Sequence, residues 1–335
     1  MKKENVLVTG AAGFIGAHLA KELININKYN VIALDDLSGG FEDNHPNEVI
    51  FIKGSITDKE LVSELFVQYE FKYVYHLAAY AAEGLSHFIR RFNYTTNLIG
   101  SINLINESIK HQVKCFVFTS SIAVYGEGQV PMIESMIPQP EDPYGISKLA
   151  VEMDLKSAHK MFGLNYVIFR PHNVYGEFQN IGDRYRNVVG IFMNQILKNE
   201  PITIFGNGEQ KRAFSYVGDI VSPIAKSAWT TKSYNQIFNI GADIPYSVNE
   251  LAEEIANSLN VHGHPIKYLE ERNEVKVAYS DHSAAREMFG KASTTSLVSG
   301  LKRMSEWVIK HGARESSIFG NIEVLKNLPK SWITK

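Results

Sequence analysis

Tyr144 and Lys148 stand four residues apart in DPYGISK, a spacing that puts both side chains on one face of a helix. Asp142 can cap that helix and Pro143 suits its first turn, so the pair is displayed near a helix start. An ammonium beside a phenol favours the phenolate, and such a tyrosine can take a proton from a secondary alcohol near neutral pH. Ser121 closes the apolar run CFVFTSS, which reads as a strand, and its hydroxyl can hydrogen-bond a reacting oxygen at the sheet edge. A lone Tyr-x-x-x-Lys is common by chance, so the reading depends on the elements around it.

The nearest such element is Thr9 to Gly16, TGAAGFIG, between an apolar strand and an amphipathic helix. Gly10 permits a tight turn, Gly13 lets the backbone approach a pyrophosphate, and Gly16 lets the helix lie close to the sheet. The helix N-terminus, starting with Phe14 and Ile15, offers unpaired amides to that anion. The next strand, VIALD, ends in Asp35, about 20 residues on, where a carboxylate accepts both ribose hydroxyls of an adenosine and repels a 2′-phosphate. The turn after it carries no Lys or Arg over residues 36–40, so the expected cofactor is NAD rather than NADP, with Asp36 an exposed neighbour.

The chain has 335 residues, with 34 Lys and Arg against 36 Asp and Glu, a formal charge of −2. That balance argues against a polybasic nucleic-acid surface, and 44% hydrophobic residues argue against disorder. No stretch approaches the roughly 18 apolar residues of a membrane span. The start MKKENVLVTG has no cleavage pattern, and the single Cys115 cannot close an internal disulfide; both lead us to expect a cytoplasmic protein with a buried, inert thiol.

Strands are expected at 5–9, 31–35, 49–54, 73–79, 115–121 and 165–170, alternating with helices at 17–26, 58–69, within 92–110 and at 144–162. This alternation is that of a doubly wound parallel α/β sheet. Beyond it the pattern thins into a smaller mixed α/β lobe, with a capping box at Ser247 and Glu250 and a last helix near 296–310. We expect a nucleotide-binding domain over residues 1–175 and a substrate lobe over 176–335, the chain crossing between lobes beyond 175. His76 reads as a strand-filling residue. His262 and His264, in VHGHP, lack companions for a metal set, and no metal is expected.

The ordered elements GAAGFIG, HLAAYAA, TSSIAVYGE, PYGISK, RPHNVYG and GNGEQKRAFSYVGDI resemble the extended short-chain dehydrogenase/reductases, in particular nucleoside-diphosphate-sugar epimerases of the UDP-glucose 4-epimerase group. The resemblance spans roughly residues 5 to 290. It implies that Tyr144 is the acid/base, that Lys148 binds the nicotinamide ribose and lowers the tyrosine's pKa, and that Ser121 bridges to the sugar 4-oxygen. Around NAD it places Ser55, Ile56, Leu77, Ala78, Ala79 and Asn97 with the glycine turn. Around a UDP-hexose it places Asn173, Arg212 and Arg272 at the diphosphate and Asp281 at the uridine ribose. Tyr279 is where relatives gate the sugar pocket, a bulky residue matching glucose and galactose rather than their N-acetylated forms. The implied reaction oxidises C4 transiently, lets the 4-keto sugar turn, and returns the hydride with inversion, so NAD stays bound. A homodimer through the helices carrying Leu98, Ile102, Ile105 and Leu149 is implied as well.

Departures sharpen this. Ile122-Ala123 follows Ser121, where 4,6-dehydratases of the same family share an Asp-Glu pair, and Ala123 cannot protonate a leaving hydroxyl. Ser55 stands where many relatives carry an aspartate. Arg184 and Arg186 in GDRYRN could recognise a uronate or a branched sugar, or cover the lobe surface. A nucleotide-sugar decarboxylase, C5 epimerase or reductase, and a non-catalytic NAD-binding regulator, remain the alternatives.

Overall fold

The computed structural model describes residues 3–128, 130–271, 275–290, 294–316 and 318–332. The chain runs β1 (Glu4–Thr9), α1 (Phe14–Asn25), β2 (Tyr29–Asp35), β3 (Ile50–Lys53), α2 (Lys59–Tyr69), β4 (Tyr73–His76), α3 (Glu83–Ser86), α4 (Arg90–Tyr94), α5 (Gly100–Lys110), β5 (Cys115–Thr119), α6 (Pro143–Phe162) and β6 (Tyr166–Pro171). It continues through β7 (Val174–Tyr175), α7 (Val188–Leu197), β8 (Ile202–Phe205), β9 (Lys211–Ala213), β10 (Ser215–Tyr216), α8 (Val217–Ser227), β11 (Gln236–Ile240), β12 (Pro245–Ser247), α9 (Val248–Ser258), β13 (Ile266–Leu269), β14 (Val277–Ala278), α10 (Ser283–Phe289) and α11 (Leu297–His311).

Seven strands form one parallel sheet in the order β11-β6-β5-β4-β1-β2-β3. Their continuous apolar runs follow from burial on both faces. Leu7, Ile32, Val74, Phe116 and Ile168 point to the side packed by α2, α5 and α6. Val6, Val31, Tyr75, Val117 and Val167 point to the side packed by α1 and α8. The seventh strand, β11, comes from beyond residue 175 and pairs with β6 from Gln236↔Val167 to Ile240↔Pro171. The rest of the C-terminal half forms a smaller mixed lobe of short ladders: β10-β7, β12-β9-β14 and β13-β8. The doubly wound architecture and the smaller lobe are therefore as expected.

Helix ends follow local chemistry. Asp58 caps α2, Asp142 caps α6 through the Gly145 amide with Pro143 in the first turn, and Ser247 with Glu250 completes the capping box of α9. Three expectations change, the first being the strand expected over 115–121, which ends at Thr119 and leaves Ser121 to cap the short turn after it. The strand expected over 73–79 ends at His76, because the amides of Leu77 and Ala78 turn to the Thr9 hydroxyl on β1. The long helix expected within 92–110 is three pieces, with a wide π-type turn at Thr95–Ile99 between α4 and α5.

Past α11 the chain folds back over the N-terminal half. Arg314 stacks on Phe41, 3.6 Å from the ring centroid, and Phe319 meets Tyr80 and Phe92. Glu323 accepts the amides of Arg91 and Phe92 at 2.7 and 2.9 Å, supplying the start of α4 with acceptors that its own sequence lacks. Among the described residues, no helix is long and apolar enough to cross a membrane.

Candidate active site

The glycine turn has the geometry its spacing implies. Gly10 sits at φ +71° against β4, where a Cβ would lie 2.7 Å from the Ala78 nitrogen. A Cβ on Gly16 would lie 2.0 Å from the Gly10 carbonyl oxygen, so this helix–strand contact admits only hydrogen. At Gly13 a Cβ would meet the Gly10 oxygen at 3.2 Å and nothing else within 4 Å, which leaves room above the turn for a pyrophosphate. No side chain caps α1, so the first-turn amides at Phe14 and Ile15 suit an anion. Asp35, buried at the end of β2, accepts the Ala12 amide at 2.9 Å and the Leu37 amide at 2.8 Å. Burial pushes its carboxyl pKa up, and those two N–H groups oppose the shift. Each carboxylate oxygen keeps a lone pair for a ribose hydroxyl. These residues fit a dinucleotide.

Around that turn, Ile56 is buried and packs on Gly100, while Ser55 bonds Thr57 within its own loop at 2.9 Å. Ala79 follows Leu77 and Ala78 in the half-buried loop beyond β4. Asn97 holds this loop from the wide turn: its Oδ1 accepts the Tyr80 amide at 2.8 Å and its Nδ2 donates to the Tyr80 carbonyl at 3.1 Å. The same amide donates to Asn93, whose own amide donates to the Pro143 carbonyl at 2.8 Å. Asn97 thus links the loop to the first turn of α6.

On α6, buried Tyr144 has Ser121 as a side-chain neighbour, and the Ser121 hydroxyl, which accepts the Ala123 amide at 3.1 Å, favours the phenolate. Burial pushes the phenol pKa well up; Ser121 and the charge of Arg186 work against that shift. Lys148 lies one turn deeper, 3% exposed, donating to the Thr119 carbonyl at 2.8 Å with its Nζ 5.8 Å from the Tyr144 ring centroid. Burial lowers its pKa to about 7, against the pull of Glu152. Another turn deeper, Glu152 is fully buried and held by Ser120 at 2.6 Å and Arg170 at 2.9 and 2.5 Å. Residues 144, 148 and 152 therefore form one stripe of α6 running from the cleft into the core. Sequence reasoning missed Glu152 and Arg170, although the i, i+4 spacing of Glu152 from Lys148 was available.

The substrate-side residues are assembled by the small ladders. Arg212, on β9, donates to the carbonyls of Lys211 and Lys276 at 2.9 and 3.2 Å and to that of Val275. Asn173, at φ +41°, donates to the Ala213 carbonyl at 3.2 Å. Tyr279 follows β14, which pairs with the Arg212 strand, and its carbonyl accepts the Met132 amide at 3.0 Å. Asp281 accepts the amide and hydroxyl of Ser283, both at 2.9 Å. Arg272 lies outside the described residues.

Arg184 is half-buried, and Arg186 is no lobe-surface charge. Its guanidinium is held by Asp183 at 2.6 Å, lies 4.8 Å from the Tyr80 ring centroid, and faces Gly39 in the loop after β2. The fold brings an arginine to residues 36–40 although that segment contains none, a placement no local reading of the turn could anticipate. His76 is buried and bonded on both nitrogens, to Thr9 and Ser101 at 2.8 Å, and burial holds it neutral. His262 and His264 bond Asn257 and the Glu200 carbonyl; no metal-binding group of side chains occurs among the described residues.

Residues 6–241 match the model of the NAD dependent epimerase/dehydratase family. The chain belongs to that family. It is 30% identical to the UDP-glucose 4-epimerase of Mycolicibacterium smegmatis over 308 residues, covering 90% of this chain and 97% of that protein. The crystal structure of the Thermotoga maritima UDP-glucose 4-epimerase with UDP-glucose is similar at TM-score 0.85 and 36% identity, over 92% of this chain and 99% of that one. The UDP-glucuronic acid 4-epimerase of Bacillus cereus, solved with UDP-glucuronic acid and NAD, is similar at TM-score 0.84 and 28% identity, over 92% and 99%. This chain is accordingly an NAD-dependent enzyme of the nucleotide-sugar class.

Proposed function

We propose that the protein epimerises C4 of a nucleoside-diphosphate hexose, with UDP-glucose and UDP-galactose as its substrate pair. The observation that carries this reading is the buried Lys148 ammonium one turn below Tyr144, its Nζ 5.8 Å from the ring centroid, with Ser121 beside the phenol at the sheet edge. In this reading Ser121 would hold the sugar 4-oxygen, and Tyr144 would take the 4-hydroxyl proton and give a proton back to the same oxygen after the 4-keto sugar has turned. Bound NAD would accept the C4 hydride and give it back to the opposite face of C4, and its positive charge would favour the phenolate. Gly10, Gly13, Gly16 and Asp35 hold it at the pyrophosphate and adenosine ribose, and Asn97 keeps the Tyr80 loop against the catalytic helix.

Asn173, Arg212 and Asp281 gather on adjoining segments, which supports a nucleotide gripped at one end and a hexose left free to rotate. Ile122 and Ala123 occupy the short turn capped by Ser121, and neither can act as an acid there, which favours epimerisation over dehydration. Tyr279 supports plain hexoses over N-acetylated ones. A homodimer is also proposed, but not through the residues expected for it: Leu149 packs on the cluster of Val124 and Tyr125. Ile105 is buried against the sheet and Leu98 and Ile102 pack on the core, whereas Ile99, Ile146 and Met153 are the outward apolar residues of these helices.

The test is incubation with UDP-, GDP- and dTDP-sugars without added cofactor, followed by chromatography and mass spectrometry. An equal-mass C4 isomer of UDP-glucose or UDP-galactose is expected. A product lighter by water or carbon dioxide would refute epimerisation, and higher kcat/KM for UDP-glucuronate or UDP-N-acetylglucosamine would refute the sugar assignment. Light scattering that returns a monomer at micromolar concentration would refute the dimer.

A further inference from the structure

Two buried histidines that take no part in the chemistry above meet behind the substrate-side segments. His172, which follows β6, and His282, which precedes α10, are each 2% exposed. Their Nε2 atoms are 3.0 Å apart. The ring centroids lie 5.2 Å apart with planes at 22°, close to the N–N separation plus two ring radii, so the rings meet edge to edge and nitrogen to nitrogen.

The partners of the other nitrogens fix the protons. His172 Nδ1 lies 2.9 Å from the Ala213 carbonyl oxygen, which can only accept, so this nitrogen carries a hydrogen. His282 Nδ1 lies 2.7 Å from Asp243 Oδ1; an ionised carboxylate also only accepts, so this nitrogen carries one too. If both rings were neutral, their Nε2 lone pairs would face each other at hydrogen-bond distance, with only the Ser280 hydroxyl, 3.0 Å from His282 Nε2, to donate there. A single added proton turns that repulsion into an N–H···N bond.

We infer that His172 and His282 share one proton beyond the neutral pair, carried on His282 and donated to His172, and that this bond is a positioning device for the nucleotide-binding segments. The inference rests on the proposed nucleotide site. The Ala213 carbonyl that accepts from His172 also accepts from the Asn173 amide, and Ala213 follows Arg212. His282 follows Asp281, and its Nε2 also lies 3.0 Å from the Ser280 hydroxyl. The pair thereby ties together the segments carrying Asn173, Arg212 and Asp281, which no single ladder connects.

The charged surroundings exclude a second added proton, and the case for the first rests on the facing nitrogens. Burial and the neighbouring ring lower His172 to about 3, as befits the acceptor. At His282, burial outweighs the bond and charge of Asp243 and the charge of Asp281 and holds the ring below the ordinary imidazole range, so it is the His172 lone pair facing its Nε2 that favours the added proton. Arg286, which donates to both oxygens of Asp243 at 3.0 and 2.8 Å, works against it. The remaining neighbours of His172 are uncharged: the Gly241 backbone packs against its Nε2 edge, next to the Ser215 hydroxyl.

Side-chain 15N NMR of the purified enzyme at pH 8, where an ordinary imidazole is neutral, reads the proton directly. One doubly protonated ring is expected, its signal lost in His282→Gln; two neutral rings, or a signal that survives that substitution, would overturn the inference. Calorimetry with UDP reads the positioning. His282→Phe is expected to weaken UDP by about tenfold, the scale of one lost charge-assisted hydrogen bond. His282→Gln keeps an N–H toward His172 and should stay within about threefold, with the losses falling on KM rather than kcat. A His282→Phe protein that binds UDP as tightly as wild type would overturn the positioning role. If the wild-type protein fails to bind UDP, the proposed substrate falls while the NMR result still decides the shared proton.

Discussion

In the sheet half, the cofactor cradle is made by backbone. Gly10, Gly13 and Gly16 bring main chain against main chain, and the loop after β2 seats its Gly40 where a Cβ would be 2.1 Å from the Ala12 oxygen. In the smaller lobe the candidate nucleotide site is made by side chains reaching for carbonyls of other segments, Arg212 to residues 275 and 276, Asn173 and His172 to residue 213. A backbone cradle tolerates almost no added atom, whereas side-chain ties can be cut one at a time with graded loss. Helix α6 belongs to both halves, since its first turn faces the cleft and its third locks into the buried Glu152–Arg170 pair.

The sharpest break should come where the two halves meet. Tyr144→Phe removes the ionisable oxygen and keeps the ring, so kcat should fall by about 10²-fold or more, with NAD and UDP affinities nearly unchanged. A variant within a few-fold of wild type would dismiss the Ser121–Tyr144 reading. Next, Gly16→Ala forces a methyl into the 2.0 Å gap and should cost about 1–3 kcal/mol of stability together with bound NAD. Gly128→Ala, with nothing within 4 Å of the added carbon, should stay within about 0.5 kcal/mol by thermal unfolding. In the lobe, Arg212→Ala should raise the KM for a UDP-hexose about tenfold and leave the NAD content intact; loss of NAD would show that the halves are not separable in this way.

A last effect, seen in stability alone, concerns Lys148. Unfolded, a lysine stays protonated up to about 10.5; in the fold this one loses its proton near pH 7. Between those values the unfolded chain binds more protons, so the stability of the nucleotide-free protein should rise with pH across that window. In Lys148→Met the rise should flatten, as judged by denaturant midpoints at pH 7 and 9.

The same contrast explains what could be read in advance. The glycine turn, Asp35, the cap at Asp142 and the capping box at Ser247 depend on residues close in the chain, and all were legible there. The start of α4 at Arg90 was not, because the Glu323 carboxylate that accepts its first amides arrives from more than 200 residues away. Arg186 beside Gly39, and His172 facing His282, likewise depend on long-range placement, for which spacing along the chain carries no signal.

Placing β11 in the parallel sheet has a consequence for synthesis on the ribosome. A nascent chain that has emerged only through β6 displays Tyr166–Pro171 as an open strand edge, flanked by apolar residues and without its partner until Gln236–Ile240 follows some 70 residues later. During that interval the exposed edge can recruit any other strand, including the same edge of a neighbouring nascent chain. Truncations ending between β6 and β11 therefore carry a sticky flank, and a soluble fragment of this protein must extend past residue 240 to seal it.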